Sequence, residues 1–199
     1  IIGIRQYEAN TMANVYRTEY EVKGTAQEIK KFIVEVIGDG ATERQYFDLE
    51  KIIPLDGQEM DTAWGSESEA FNFQLCHVSS TKIVFRFDTN NCTPLHVCFA
   101  LMNKYTLLTF NVRSCCELLI EAVRFVKDPR IQGIGCECHE WNDDGGVWRK
   151  YIKNEAKYLW GYSNKPNLEK RGFVKIGNTY VKVHFGISLE ELRPRFKVS

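Results

Sequence analysis

The sequence predicts an α+β fold: one antiparallel sheet with two helices on a single face, followed by a C-terminal extension. Two observations lead there. Four separate segments alternate apolar and polar residues, the period of a half-buried strand. Two further segments repeat apolar residues at i, i+3, i+4 and i+7, the period of a helix with one buried stripe. Along the chain they run strand, helix, strand, strand, helix, strand.

The first strand is the alternating run over 16–23. In TAQEIKKFIVEVIG, Thr25 and Glu28 form a capping box. Ile29, Phe32, Ile33, Val36 and Ile37 then share one helical face, and Gly38 stops the helix. Residues 39–70 are less regular. YFDLEKIIPL reads as a short extended piece ended by Pro54, and DGQEMDTAWGSESEA as a polar loop. Phe71, Phe73 and Leu75 share a strand face, as do Ile83, Phe85 and Phe87, with SST as the hairpin turn between them. Asp88 to Asn91 connect this hairpin to a helix with Thr93 as N-cap and Pro94 at its first position. Leu95, Cys98, Phe99 and Met102 form that helix's stripe, and LLTFNVRS is the fourth strand. The order is that of the split βαβ, ferredoxin-like sandwich. Ile29, Phe32, Val36, Leu95, Cys98, Phe99 and Met102 are expected to face its sheet.

Beyond this core, ELLIEAVRFVKD fits either a helix or a strand, and DDGG marks a turn. VWRKYIKNEAKYLWGY places Trp148, Tyr151, Ile152, Glu155 and Leu159 near helical spacing. FVKIGNTYVKV is a hairpin about Gly177-Asn178, with Val174, Ile176, Val181 and Val183 on one face. The expected domains are residues 12–130 and a C-terminal extension, 131–199, packed on them. Residues 1–11, ahead of Met12, read as a tag remnant or an extended start.

Composition narrows the function classes. Lys and Arg number 26 and so do Asp and Glu, without the basic excess of a nucleic-acid binder. No apolar run approaches a membrane span, and the start carries no signal-peptide pattern. Seven cysteines, an odd number sitting mostly in apolar runs, point to reduced cytoplasmic thiols. In CECH, Cys136, Cys138 and His139 are spaced too closely for a structural zinc site and lack a second ligand pair. Cys115-Cys116 offers a thiol but no base that the sequence can place beside it. His77 begins HVSS, the H-x-S form of two-histidine phosphoesterases, but His96, His139 and His184 supply no second motif. The glycines at 38–40 and 145–146 match no phosphate loop. Glu190-Glu191 reads as a solvated pair. The motif of RNA-recognition sheets is absent, so Phe71, Phe73, Phe85 and Phe87 are assigned to packing beneath the helices. No metal, cofactor or catalytic residue is assigned.

Residues 12–127 also resemble the YubB-like family of plasmid and phage proteins. The likeness is carried by Met12, Asn14, Val22, Gly24 and Phe32, by FDLEKIIPL with Pro54, by Trp64-Gly65, and by Phe87, Thr89 and Pro94 with the helix and strand that follow. Where family members carry a Trp-Cys pair after the opening Asn, this chain has Val15-Tyr16; where they carry WGTKW it has WGSES; and Asn91 replaces a third Trp. The resemblance implies a ferredoxin-like fold, a mobile-element origin and action in a bacterial cytoplasm, and brings no catalytic residues with it. By that analogy the chain is expected to be a non-enzymatic protein that binds a host protein, for instance to counter a bacterial defence system. An RNA- or nucleotide-binding module and a hydrolase are the alternatives; a basic surface stripe would favour the first and a deep polar pocket the second. For the partner surface the sequence nominates Trp148, Tyr151 and Trp160. They lie in a window, 141–162, that holds three of the chain's four Trp among Lys and Arg. The competing reading makes them a second small core.

Overall fold

A computed structural model describes residues 14–38, 47–131, 133–140, 146–161, 173–176 and 179–182. The chain divides into two compact units, one of Asn14–Ser163 and one of Ile1–Ala13 with Asn164–Ser199. The boundary expected at 130 falls between two adjacent strands of the first unit's sheet, and the compact unit runs on to Ser163.

The first unit is an α+β domain built on a six-stranded antiparallel sheet. β1 (Val15–Lys23) leads into α1 (Ala26–Phe32), which continues as a π-helical turn, Ile33–Ile37. Thr25 caps α1 as its sequence predicts, its side chain accepting from the Glu28 N–H. Gly38 ends the segment at φ 98°, and its N–H donates to the Ile33 carbonyl across the wide π turn. α2 (Met60–Trp64) lies inside the segment expected to be a loop. Trp64 explains it: the ring is buried and its Nε1 donates to the Ile53 carbonyl at 2.8 Å, so core packing fixes a helix too short to show a period. The extended piece expected before Pro54 is instead a pair of turns. The Ile52 and Ile53 N–H groups both donate to Leu49 O, and Phe47 and Leu49 enter the core.

β2 (Phe71–Ser79) and β3 (Lys82–Asn90) form the expected hairpin, followed by α3 (Leu95–Lys104), β4 (Thr109–Cys116), β5 (Glu121–Lys127) and β6 (Gly135–Glu140). The sheet order is β2-β3-β1-β4-β5-β6. Irregular pairing breaks β2: Phe71 lies opposite Asp88 but Leu75 opposite Phe85, residues on opposite faces, so Phe71, Phe73 and Leu75 do not share one face. The ambiguous ELLIEAVRFVKD resolves to β5, because β4 offers it a ladder from Phe110 to Cys115.

Three further expectations change at the start of α3. Asp88, Thr89 and Asn90 are part of β3, not a connector, and Asp88 and Thr89 are buried. Thr93 does not cap the helix. Its hydroxyl donates to Ser114 Oγ at 2.7 Å, and Ser114 lies 3.0 Å from the Thr18 hydroxyl, a buried chain of three side chains that meets its own polar needs. Leu95 is 36% exposed, and Phe99 is only partly buried, against Phe125. The buried stripe is Val97, Cys98, Leu101 and Met102. LHVCFALM is apolar almost all round, so periodicity alone could not set the phase of the face.

The main core lies between α1, α3 and one sheet face, where Tyr20, Phe32, Phe47, Phe85, Phe87 and Phe110 meet ring to ring. α4 (Gly146–Trp160) packs on β1, β4, β5 and β6 through Ile152, Ala156 and Leu159 against Cys115, Leu119 and Ala122. The strands alternate, and α4 touches Arg17, Glu19, Arg113 and Cys115, whose side chains point away from the main core, so helices cover both faces of the sheet. In the other unit, β7 (Phe173–Ile176) pairs with β8 (Thr179–Lys182), Val174 opposite Val181. Gly177-Asn178 and Val183 lie outside the described residues.

Candidate functional site

Alternation in four strands puts apolar side chains on one face and charged ones on the other. The antiparallel registers then align the charged ones. Gln74 lies opposite Arg86, Arg86 opposite Glu19, Glu19 opposite Arg113, Arg113 opposite Arg124, and Arg124 opposite Glu137. One row of polar residues crosses all six strands beneath α4.

Helical spacing sets Tyr151, Glu155 and Tyr158 over this row, at i, i+4 and i+7. The Tyr158 hydroxyl donates to Glu19 Oε1 at 2.8 Å, and its ring takes the Arg113 and Arg86 guanidinium groups at 4.7 and 5.3 Å. Arg86 Nε donates to the other oxygen of buried Glu19 at 2.6 Å. At the end of the helix, Arg17 lies 4.1 Å over the Trp160 ring, and Trp160 Nε1 donates to the Cys115 carbonyl at 2.9 Å. Arg17 also grips Asp88 with two hydrogen bonds, 2.8 and 2.9 Å, and Asn72 adds a third to the same carboxylate.

Glu155 is 6% exposed. Its Oε2 lies 3.7 Å from Arg113 Nη1 and makes no hydrogen bond among the described residues. Burial raises its pKa; Arg113 on β4 and Arg124 on β5 oppose the rise, while Glu19 on β1 and Glu137 on β6 add to it. Tyr151, a turn earlier on α4, is itself pushed up by burial and then by Glu155. A carboxyl whose pKa rises on folding holds its proton more tightly in the folded chain. Its contribution is complete below the unfolded value and is lost as pH rises through the folded one. The wild-type protein is therefore expected to lose stability relative to Glu155→Gln as pH rises above the ordinary carboxylate range. Paired thermal melts at stepped pH measure this, and parallel curves would show that Glu155 titrates normally.

The nominated aromatics divide. Tyr151 and Trp160 are half-buried and pack against the small core under α4. The Trp148 side chain lies outside the described residues, as do Trp141 and Tyr162. Among the described side chains of the helix, the exposed aromatic is Tyr158, at 49%. The described part of the segment packs a helix on a sheet through Ile152, Ala156 and Leu159. The charged row was not foreseen, although RTEYE, FRFD, NVRS and AVRF each show its alternation.

All seven cysteines are free thiols. Burial pushes Cys98 up to about 12 and Cys116 to about 11, and raises Cys115 as well, the opposite of an activated thiolate. Cys136 and Cys138 are exposed on β6, and among the described residues no three His, Cys, Asp or Glu side chains converge as a metal site would need. His77 sits exposed on β2. In and beside the row, Glu19 pairs directly with Arg86 and Asp88 with Arg17. No described helix is long and apolar enough to cross a membrane.

The other exposed feature is β2. Among the described elements it pairs only with β3, so its outer edge presents backbone donors and acceptors. FNFQLCHVS carries no Asp, Glu, Lys, Arg or Pro, and Leu75 and Val78 are 36% and 50% exposed. Fold and surface together define an α+β domain with a doubly covered antiparallel sheet and one uncharged edge. No family model, curated protein or solved structure matches the chain.

Proposed function

We propose that the chain is a ferredoxin-like, non-enzymatic protein of a phage or plasmid that acts in the bacterial cytoplasm by binding a host protein. Its β2 edge takes up a strand of that partner. The fold reading is supported by the order β2-β3-β1-β4, with α1 joining β1 to the hairpin side and α3 joining β3 to β4. The mobile-element reading rests on the residues shared with the YubB-like family, and counter-defence on that family context.

The single observation that carries binding is the uncharged β2 edge. Sheet edges in soluble proteins are ordinarily blunted by Lys, by Pro, by bulges or by covering elements; β2 has two register shifts but no charge and no Pro. Nine residues without charge, with two exposed aliphatics, suit strand addition, where backbone hydrogen bonds give affinity and alternate side chains give selectivity.

The test is capture from bacterial extract, identification of the bound protein by mass spectrometry, and titration of that purified protein against wild type and Leu75→Lys/Val78→Lys. Both substitutions are at exposed positions, so stability should stay within about 0.5 kcal/mol. Affinity should fall about thirtyfold or more, the effect of losing ~2 kcal/mol at an interface centre. Equal affinity for the two proteins would remove the edge from the interface.

A further inference from the structure

Among the described elements the sheet has two edge strands, β2 and β6, and they differ in what pairing with their own copy would cost. A strand laid antiparallel on its copy about a twofold axis meets matching backbone donors and acceptors, so side-chain charge decides whether the pairing is allowed. β6, GCECHE, carries Glu137 and Glu140, and its copy would crowd like charges along one seam. β2, FNFQLCHVS, carries no charged residue of either sign. One strand further in, Lys82 and Arg86 of β3 are already paired with Glu21 and Glu19 of β1, at 2.5 and 2.6 Å. A second copy approaching β2 meets no unmatched charge from them.

The polar row beneath α4 points the same way. It ends in Glu137 on β6 but in Gln74 on β2, an exposed amide that both donates and accepts hydrogen bonds. Full overlap of two nine-residue β2 strands puts the twofold axis at the middle residue, Leu75. Leu75, 36% exposed, then faces its own copy. The two Gln74 side chains come within diagonal reach, where each amide can donate to the other.

We infer that in the free protein β2 pairs with β2 of a second copy, joining two six-stranded sheets about a twofold axis at Leu75. This rests on the reading of β2 as a strand-docking edge and adds its regulation. A host strand and the second copy compete for the same backbone groups, so binding of the host protein splits the dimer. A nine-residue seam is short beside the ~1,200 Å² of a standard interface, which keeps the dimer weak enough to displace. The twofold axis uses both β2 edges and leaves only the glutamate-bearing β6 edges outside, so assembly stops at two copies.

The test is sedimentation of the full chain over a dilution series, with charge exchanged at Gln74. Wild type should show a monomer–dimer equilibrium. Gln74→Glu and Gln74→Lys, each alone, should weaken the dimer by about tenfold or more, because like charges then meet across the seam. An equimolar mixture of the two variants should associate within about threefold of wild type, since opposite charges now face each other. Gln74 is exposed, so both variants should keep the wild-type unfolding midpoint. A wild type that stays monomeric at every concentration, a dimer that neither substitution weakens, or a mixture no better than the single variants would overturn the pairing. The two readings of the edge separate cleanly. A monomeric wild type whose host binding is still lost on Leu75→Lys/Val78→Lys overturns the dimer and keeps the host strand. A dimer that responds to the charge exchange, with no host protein captured, supports the pairing and removes the host strand.

Discussion

Phe32→Ala should lower the stability of the Asn14–Ser163 unit by about 3–5 kcal/mol, the usual loss when a buried aromatic is cut to a methyl group. Phe32 is fully buried at the last residue of α1, where the helix widens into its π turn. Its ring meets Tyr105 and Phe110 edge-on at 5.0 and 5.9 Å and Phe85 at 6.3 Å. It therefore joins α1 to the residue that closes α3 and to two sheet strands. Neighbours on three elements cannot all move in to fill the space, so the cavity term adds to the lost transfer energy. Urea unfolding measures the difference, and a loss below about 1 kcal/mol would contradict the assigned face.

Asp88→Ala should cost about 3 kcal/mol, in the range for breaking a buried ion pair from one side. The carboxylate is 2% exposed and accepts two hydrogen bonds from Arg17 and one from Asn72. Removing it strands three donors at once. Arg17 keeps its place over Trp160 and is 22% exposed, so water relieves only part of the loss. A paired change, Arg17→Met with Asp88→Leu, should restore most of the stability, because no charge is then left without its partner. Equal denaturation midpoints for Asp88→Ala and wild type would show that the pair contributes nothing, as surface pairs often do.

Asp88 also shows where sequence reading fails. DTNNCT looks like a loop because its residues favour turns, and Thr93-Pro94 looks like a cap and first helical residue for the same local reason. Tertiary partners decide otherwise. Arg17 holds Asp88 in the strand, and the Ser114 hydroxyl takes Thr93 away from the helix end. Periodicity alone puts Leu95 in the core because a helix apolar on most sides admits two phases, and only contact with the sheet selects the stripe through Val97 and Leu101.

By itself the sequence determined the α+β class, the α1 cap and stripe, the β2–β3 hairpin, α4, and the β7–β8 pairing. Each rests on interactions among residues close in the chain: capping, turn chemistry and the two periods of apolar residues. Tertiary structure alone decided that α4 covers the second face of the sheet and that Arg86, Glu19, Arg113, Arg124 and Glu137 stand in one row. Strand alternation says which residues share a face. The alignment of one strand with the next is set by register, and register by the packing of residues up to a hundred positions apart.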